Sequence, residues 1–221
     1  MLALLPFVWL TACQREDSIN VNQDTIYGEY RLVYEAEANK TYARASFKFG
    51  AATGTVLELT APARVDFESE SLTWQPVFAY YERVYAGVVA DGAFTYADLD
   101  SMTFVNQVRM SRPIALPADL DSLSQGAAYS LAWVGDPVGA DETVTVTING
   151  INERDAQIFS TKDLGATAIV LDKDKLGRLG RGQGKVFIER WTDQELVQGT
   201  SKGGAVWSRY LATPQAMQIV E

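Results

Sequence analysis

Three Asp-x-Asp pairs, Asp98/Asp100, Asp119/Asp121 and Asp172/Asp174, are the clearest candidates for chemistry in this chain. On a loop, that spacing turns two carboxylates toward one point, where they can hold a hard cation such as calcium. Asp172-Lys173-Asp174-Lys175-Leu176-Gly177 fills positions 1, 3 and 6 of a twelve-residue calcium loop. It lacks an oxygen side chain at position 5, has Gln183 where a bidentate Glu belongs, and carries lysines that repel a cation. Asp119 and Asp121 are the better metal candidates, because they follow a proline-rich connector that a structural calcium would stiffen. Turn formation explains all three pairs more simply, since Asp side chains bond the backbone two residues on. Paired carboxylates also run glycoside hydrolysis when about 5–10 Å apart. With 28 acids in the chain, sequence spacing nominates no such pair.

Other chemistry is bounded by what is missing. The chain has no histidine, which removes the Ser-His-Asp triad, the commonest general base and the commonest metal ligand. Gly199-Thr200-Ser201-Lys202-Gly203 has the letters of a nucleophile elbow. That motif needs a strand-to-helix turn and a histidine, so the segment is expected to be a loop between strands. Gly177 to Lys185 is glycine-rich and basic but fails the phosphate-loop spacing, with three residues between Gly180 and Gly184 and Val186 after Lys185. It leaves a cluster of positive charge, Lys173, Lys175, Arg178, Arg181 and Lys185, that could touch anionic glycan or lipid head groups. Tyr81 and Tyr85 share one face of a strand, with Tyr80 on the other, and Trp207 lies near Tyr210. Outward-facing aromatics of this kind are candidate ligand-binding residues, whereas inward-facing ones are core.

The elements that must carry these residues are strands. Thr143-Val144-Thr145-Val146-Thr147-Ile148 alternates threonine with aliphatic residues, and Asn149-Gly150 follows as a hairpin signal. Similar alternation occurs at 28–35, 42–49, 55–59, 64–67, 80–89, 103–109, 127–134, 168–171, 185–191 and 205–212. No sustained helical period appears, and 119–124 fits at most one helical turn. Strands at this spacing predict an all-β fold, and Ser111 to Pro117, with Pro113 and Pro117 four apart, marks a connector. The expected arrangement is two antiparallel β-sandwich domains, 26–112 and 113–221, with one larger β-sandwich or jelly roll as the alternative. In size and strand count each resembles an immunoglobulin-like module, and no Cys-Trp-Cys signature is available. The Asp119/Asp121 calcium idea draws on a resemblance to cadherin-like modules with calcium at their joints.

Cys13 is the only cysteine. Leu10-Thr11-Ala12-Cys13, at the end of the apolar run Leu2 to Leu10, resembles the lipobox of bacterial lipoproteins. The run is too short for a membrane-spanning helix and has the length of a signal-peptide core. No Lys or Arg precedes it, a departure from the usual pattern. The resemblance implies removal of residues 1–12, acylation of Cys13 and attachment to a membrane by that acyl anchor, with 13–25 as a flexible tether. Gln14 is similar to sorting residues of outer-membrane lipoproteins, and Arg15-Glu16-Asp17 loosely resembles a surface-export signal.

A net charge of −9 and a pI near 4.6 exclude a nucleic-acid binder. The expected function is therefore non-catalytic: a lipid-anchored envelope protein, with no catalytic cofactor, that binds a glycan or protein partner. A structural accessory subunit of an envelope complex and a carboxylate-based hydrolase are the rivals.

Overall fold

The computed structural model describes residues 15–151 and 155–221. Cys13 and the lipobox lie outside them. The chain begins with β1 (Arg15–Asp17), two 3-10 turns, and the long hairpin β2 (Ile26–Glu35) and β3 (Lys40–Phe49). The N-terminal half continues with β4 (Val56–Glu58), β5 (Arg64–Phe67), β6 (Glu70–Ser71), β7 (Thr73–Gln75), β8 (Tyr80–Ala86), β9 (Asp91–Ala97) and β10 (Thr103–Arg109). Past the connector come β11 (Ile114–Ala115), β12 (Ser122–Ser124), β13 (Tyr129–Ala132), β14 (Val134–Gly135), β15 (Glu142–Asn149), β16 (Gln157–Thr161) and β17 (Ala168–Leu171). One helical turn, α1 (Lys173–Leu176), precedes β18 (Gly182–Gln194), β19 (Gly204–Leu211) and β20 (Gln215–Val220).

The fold is all-β, and its two sandwiches share one long sheet. That sheet runs β1-β4-β3-β2-β19-β18-β15-β16, with β8 and β7 extending from β3, and β20 and β12 extending from β18. The join is β19, from near the end of the chain, which lies parallel to β2 with Gly204–Leu211 beside Gly28–Glu35. Residues at alternate positions of these strands point inward, as the two-residue period of a strand requires. Over the N-terminal half, the sheet β10-β9-β5-β6 closes a core of Tyr30, Phe47, Phe67, Phe94 and Tyr96. Over the C-terminal half, the pairs β11-β14 and β13-β17 close a core of Leu131, Val146, Ile148, Leu171 and Ile188. The cores divide near the expected connector except at β19, whose Val206 packs in the N-terminal core.

Three local expectations need correction. Residues 15–25 are not a free tether. β1 pairs with β4, Ser18 and Gln23 are buried, and Gln23 Nε2 donates to the Ser18 and Val21 carbonyls. Residues 122–124 form a strand parallel to β20, not a helical turn, because their backbone groups find partners there. Asn149-Gly150 does not close a two-residue hairpin, since β16 begins only at Gln157.

The connector is stitched down rather than loose. Ser111 Oγ lies 2.9 Å from Ser208 Oγ and accepts from Thr192 Oγ1 at 3.0 Å. Beside it, Arg112 donates to both carboxylate oxygens of Glu142 at 2.9 and 2.7 Å, and Arg190 donates to the same carboxylate at 2.7 Å. Arg190 is 0% exposed. Burial alone would push the Glu142 carboxyl up, but the Arg112 hydrogen bonds, the Gly139 N–H and the Arg190 charge together hold it below its ordinary value.

Candidate functional site

Two surfaces carry organised side chains: the outer face of the shared sheet and a cleft between the halves. The outer face is made of the residues of each strand's alternation that point away from the cores. Strand register lines up Glu82, Arg44, Arg31, Trp207 and Asp193 in one row across five strands. The next row is Val84, Tyr42, Val33, Arg209, Trp191 and Thr143.

Within these rows guanidinium groups and aromatic rings interleave. The Arg209 guanidinium sits 5.0 Å over the Trp191 ring, and Trp191 lies 4.6 Å from Trp207. Arg31 sits 5.8 Å from Trp207 and 5.2 Å from Tyr80. Arg44 lies 5.1 Å from Tyr80 and 4.6 Å from Tyr42. Carboxylates fix the rungs: Trp207 Nε1 donates to Glu29 at 2.9 Å, Trp191 Nε1 to Glu189 at 2.8 Å, and Arg44 Nε to Glu82 at 2.6 Å. Burial would raise the Glu29 carboxyl, but the Trp207 hydrogen bond and the Arg31 and Lys48 charges hold it below its ordinary value. Burial also lowers the Arg31 guanidinium from its usual range. Each contact between a cation and a ring contributes about 0.5–2 kcal/mol, depending on how dry it is. The result is a face of mutually packed side chains whose arginines and lysine are matched by carboxylates.

The predicted aromatic residues separate. Tyr81 is core: it is 7% exposed, packs on Phe47 and Trp74, and its hydroxyl accepts from the Leu59 N–H. It cannot meet a ligand, and burial pushes its hydroxyl up to about 12. Tyr85 shares that inward face and packs on Phe67. Trp207 faces outward, but Trp191 and Arg31 already pack against its ring. Tyr210, three residues on, points inward, packs 5.0 Å from Tyr34, and lines the cleft.

That cleft has a volume of about 420 Å³. Val88, Met110, Pro113 and Tyr210 make its apolar lining, with Asp91 and Arg109 as its polar groups. A polar lobe of about 330 Å³ shares Asp91 and Arg109 and adds Gln107 and Gln194.

Three members of the basic cluster already have partners. Lys175 Nζ donates to the Ile158 carbonyl at 2.8 Å, Arg181 pairs with Glu221 at 3.1 Å, and Lys185 pairs with Glu37 at 3.4 Å. Lys173 and Arg178 are exposed. Asp172 caps α1 by accepting from the Lys175 N–H, and Asp98 Oδ1 accepts from Asp100 N and Met102 N. Both therefore serve the turns they begin. Asp119 and Asp121 are exposed, and among the described residues no three acids gather as a metal site. Ser201 sits in a loop between strands, where its N–H and hydroxyl bind Asp24.

The arginines and acids of the outer face went unnoticed in the sequence. Their signal is an i, i+2 pairing, on several strands, of two residues drawn from arginine, aromatic and acidic types: Glu29/Arg31, Tyr42/Arg44, Glu189/Trp191 and Trp207/Arg209.

No family model matches the sequence, and no curated protein matches it. Among solved structures, the FN1–FN3 domains of chicken CNTN1 align at 10% identity over 87% of this chain and 67% of that one, with a TM-score of 0.28. A structure concerning host cell surface retention of a bacterial ice-binding adhesin aligns at 12% identity over 90% and 66%, with a TM-score of 0.24. The two tandem V-type regions of VCBP3, a v-region-containing chitin binding protein, align at 11% identity over 86% and 99%, with a TM-score of 0.23. Likeness at that level carries no argument about function.

Proposed function

We propose that this protein is a non-catalytic binding or adhesion module, held at the cell envelope by an acyl group on Cys13, that presents the outer face of its shared sheet to a protein partner. The observation that carries this is the uncovered row of interleaved Arg, Trp and Tyr crossing from one half to the other. Trp, Tyr and Arg dominate the binding energy of protein interfaces. Here they are already immobilised, so less ordering entropy is lost on contact. Because Trp191 and Arg31 already pack on the Trp207 ring, stacking of a sugar there is disfavoured, and a flat protein surface is the better fit. The chain's lack of histidine supports a non-catalytic role.

Photo-crosslinking in cells tests this. A benzoylphenylalanine in place of Tyr80 should give a discrete adduct, and one in place of Tyr129, on the layer opposite, should give none. Absence of any adduct from Tyr80 and Tyr42 positions would remove the reading. A glycan ligand has one observation in its favour, the cleft that Asp91 and Arg109 line together with Tyr210. Glycan-array signal lost in Arg109→Ala and kept in Arg44→Ala would assign binding to the cleft instead.

A further inference from the structure

We infer that one pole of the shared sheet rests against a lipid bilayer, with the turn carrying Val77 and Phe78 inserted in its interface. This rests on the acyl-anchor reading of Cys13 for the membrane's position. β1 starts two residues after Cys13, and its Arg15 is level with Val56, which is level with Lys48 near the end of β3. The anchor therefore leaves the body at the Phe49 end of the sheet, and the packing of residues 15–25 allows no long tether.

The β7–β8 turn points toward that same end. β8 pairs Tyr81 with Ala45 and then runs away from Phe49, so the turn before it lies on the anchor side. The Arg15 guanidinium sits 5.0 Å over Trp74, joining the anchor strand to the strand that leads into the turn. The turn is tightly built: Phe78 N and Ala79 N both donate to the Gln75 carbonyl, and Ala79 has φ +57°. At its tip Val77 is 86% exposed and Phe78 66%, while Phe49 on the same pole is 46% exposed. Tyr80 stacks under Phe78 at 5.6 Å. Two adjacent apolar side chains raised on a rigid turn, backed by Trp and Tyr, match the way aromatic groups sit at a membrane interface.

The cations beside this turn are paired, Arg15 with Glu58, Lys48 with Glu29 and Arg44 with Glu82, and β1 adds the exposed acids Glu16 and Asp17. Contact is therefore apolar insertion rather than attraction to anionic head groups, and should be insensitive to salt.

The test places a single reporter. With Cys13 acylated, Val77→Cys supplies the chain's one free thiol, which is labelled with NBD. Val170→Cys, on the C-terminal half, is the control. Each acylated protein is reconstituted into phosphatidylcholine vesicles containing doxyl-lipid. The expected result is blue-shifted, quenched NBD emission at position 77 and water-like emission at 170, unchanged at high salt. Water-like emission at 77 in a protein whose intact mass shows acylated Cys13 overturns the pole and leaves the anchor standing. A mass without acyl groups overturns the anchor. The pole then stands only if Cys13→Ser protein still partitions onto these vesicles and Phe78→Ser lowers that partition about tenfold. Absence of partition overturns it as well.

Discussion

The two halves solve one packing problem with different side chains. The N-terminal core is aromatic: Phe67 and Phe94 lie 4.8 Å apart, Phe47 and Tyr96 4.5 Å, and Tyr30 and Phe94 5.4 Å. The C-terminal core is mostly aliphatic, built around Val144, Val146, Ile148, Leu131, Leu171 and Ile188, with Trp133 and Phe159 as its buried rings. Large planar rings fill the space with few residues but leave little slack. A Cβ at Gly92 would fall 2.3 Å from the Phe67 ring, so that position cannot hold a larger residue without repacking. Aliphatic side chains spread the same burial over more positions and tolerate small deletions better. One core concentrates its stability in a few rings and the other distributes it.

Deleting a ring should therefore have the largest effect. Phe94→Ala is expected to cost about 3–5 kcal/mol, measured by denaturant unfolding. Because Val206 of β19 belongs to that core while its strand continues beside β18, calorimetry should show a single transition in wild type and variant alike. Two separated transitions would break the comparison by showing that the halves unfold independently.

The clasp beside the connector comes next. Glu142→Ala leaves Arg190 buried without its counter-charge and should cost about 3–5 kcal/mol. The folded Glu142 carboxyl titrates below its ordinary value of 4.5, so its contribution is present above that pH. It is lost progressively as pH falls below 4.5 toward the folded value. Unfolding midpoints across pH 3–7 should show that acid loss, and Glu142→Gln should flatten it. Ile148→Val, trimming one methyl from the distributed core, should cost only about 0.5–1.5 kcal/mol. A cost approaching that of Phe94→Ala would erase the distinction between the cores.

The same contrast governs how much could be seen in the sequence. β15 was legible because its threonines face solvent and its aliphatic residues face the core. β9 was not, because Asp91-Gly92 looks like a turn, yet Gly92 is the first inward position of the strand and is there to clear Phe67. On β8, aromatic residues occur on both faces, so pattern alone could not tell core Tyr81 from outward Tyr80. Isolated strands say which residues share a face. The interleaving of Arg31, Tyr80, Trp207 and Trp191 depends on β19 lying beside β2, a pairing between residues nearly a whole chain apart. Two of the acidic pairs have a local use that spacing alone does not reveal: Asp98 and Asp172 accept from backbone N–H groups at the turns they begin.

The late arrival of β19 also shapes how the molecule can be made. A chain emerging from its N-terminus produces β2 and β3 early, but the strand that covers the other edge of β2 is residues 204–211. Until those residues leave the ribosome or translocation channel, β2 exposes unpaired amides, and the aromatic core lacks Val206. Such an edge invites pairing with a neighbouring nascent chain. Truncation before residue 204 should therefore yield an aggregation-prone fragment rather than a free N-terminal domain.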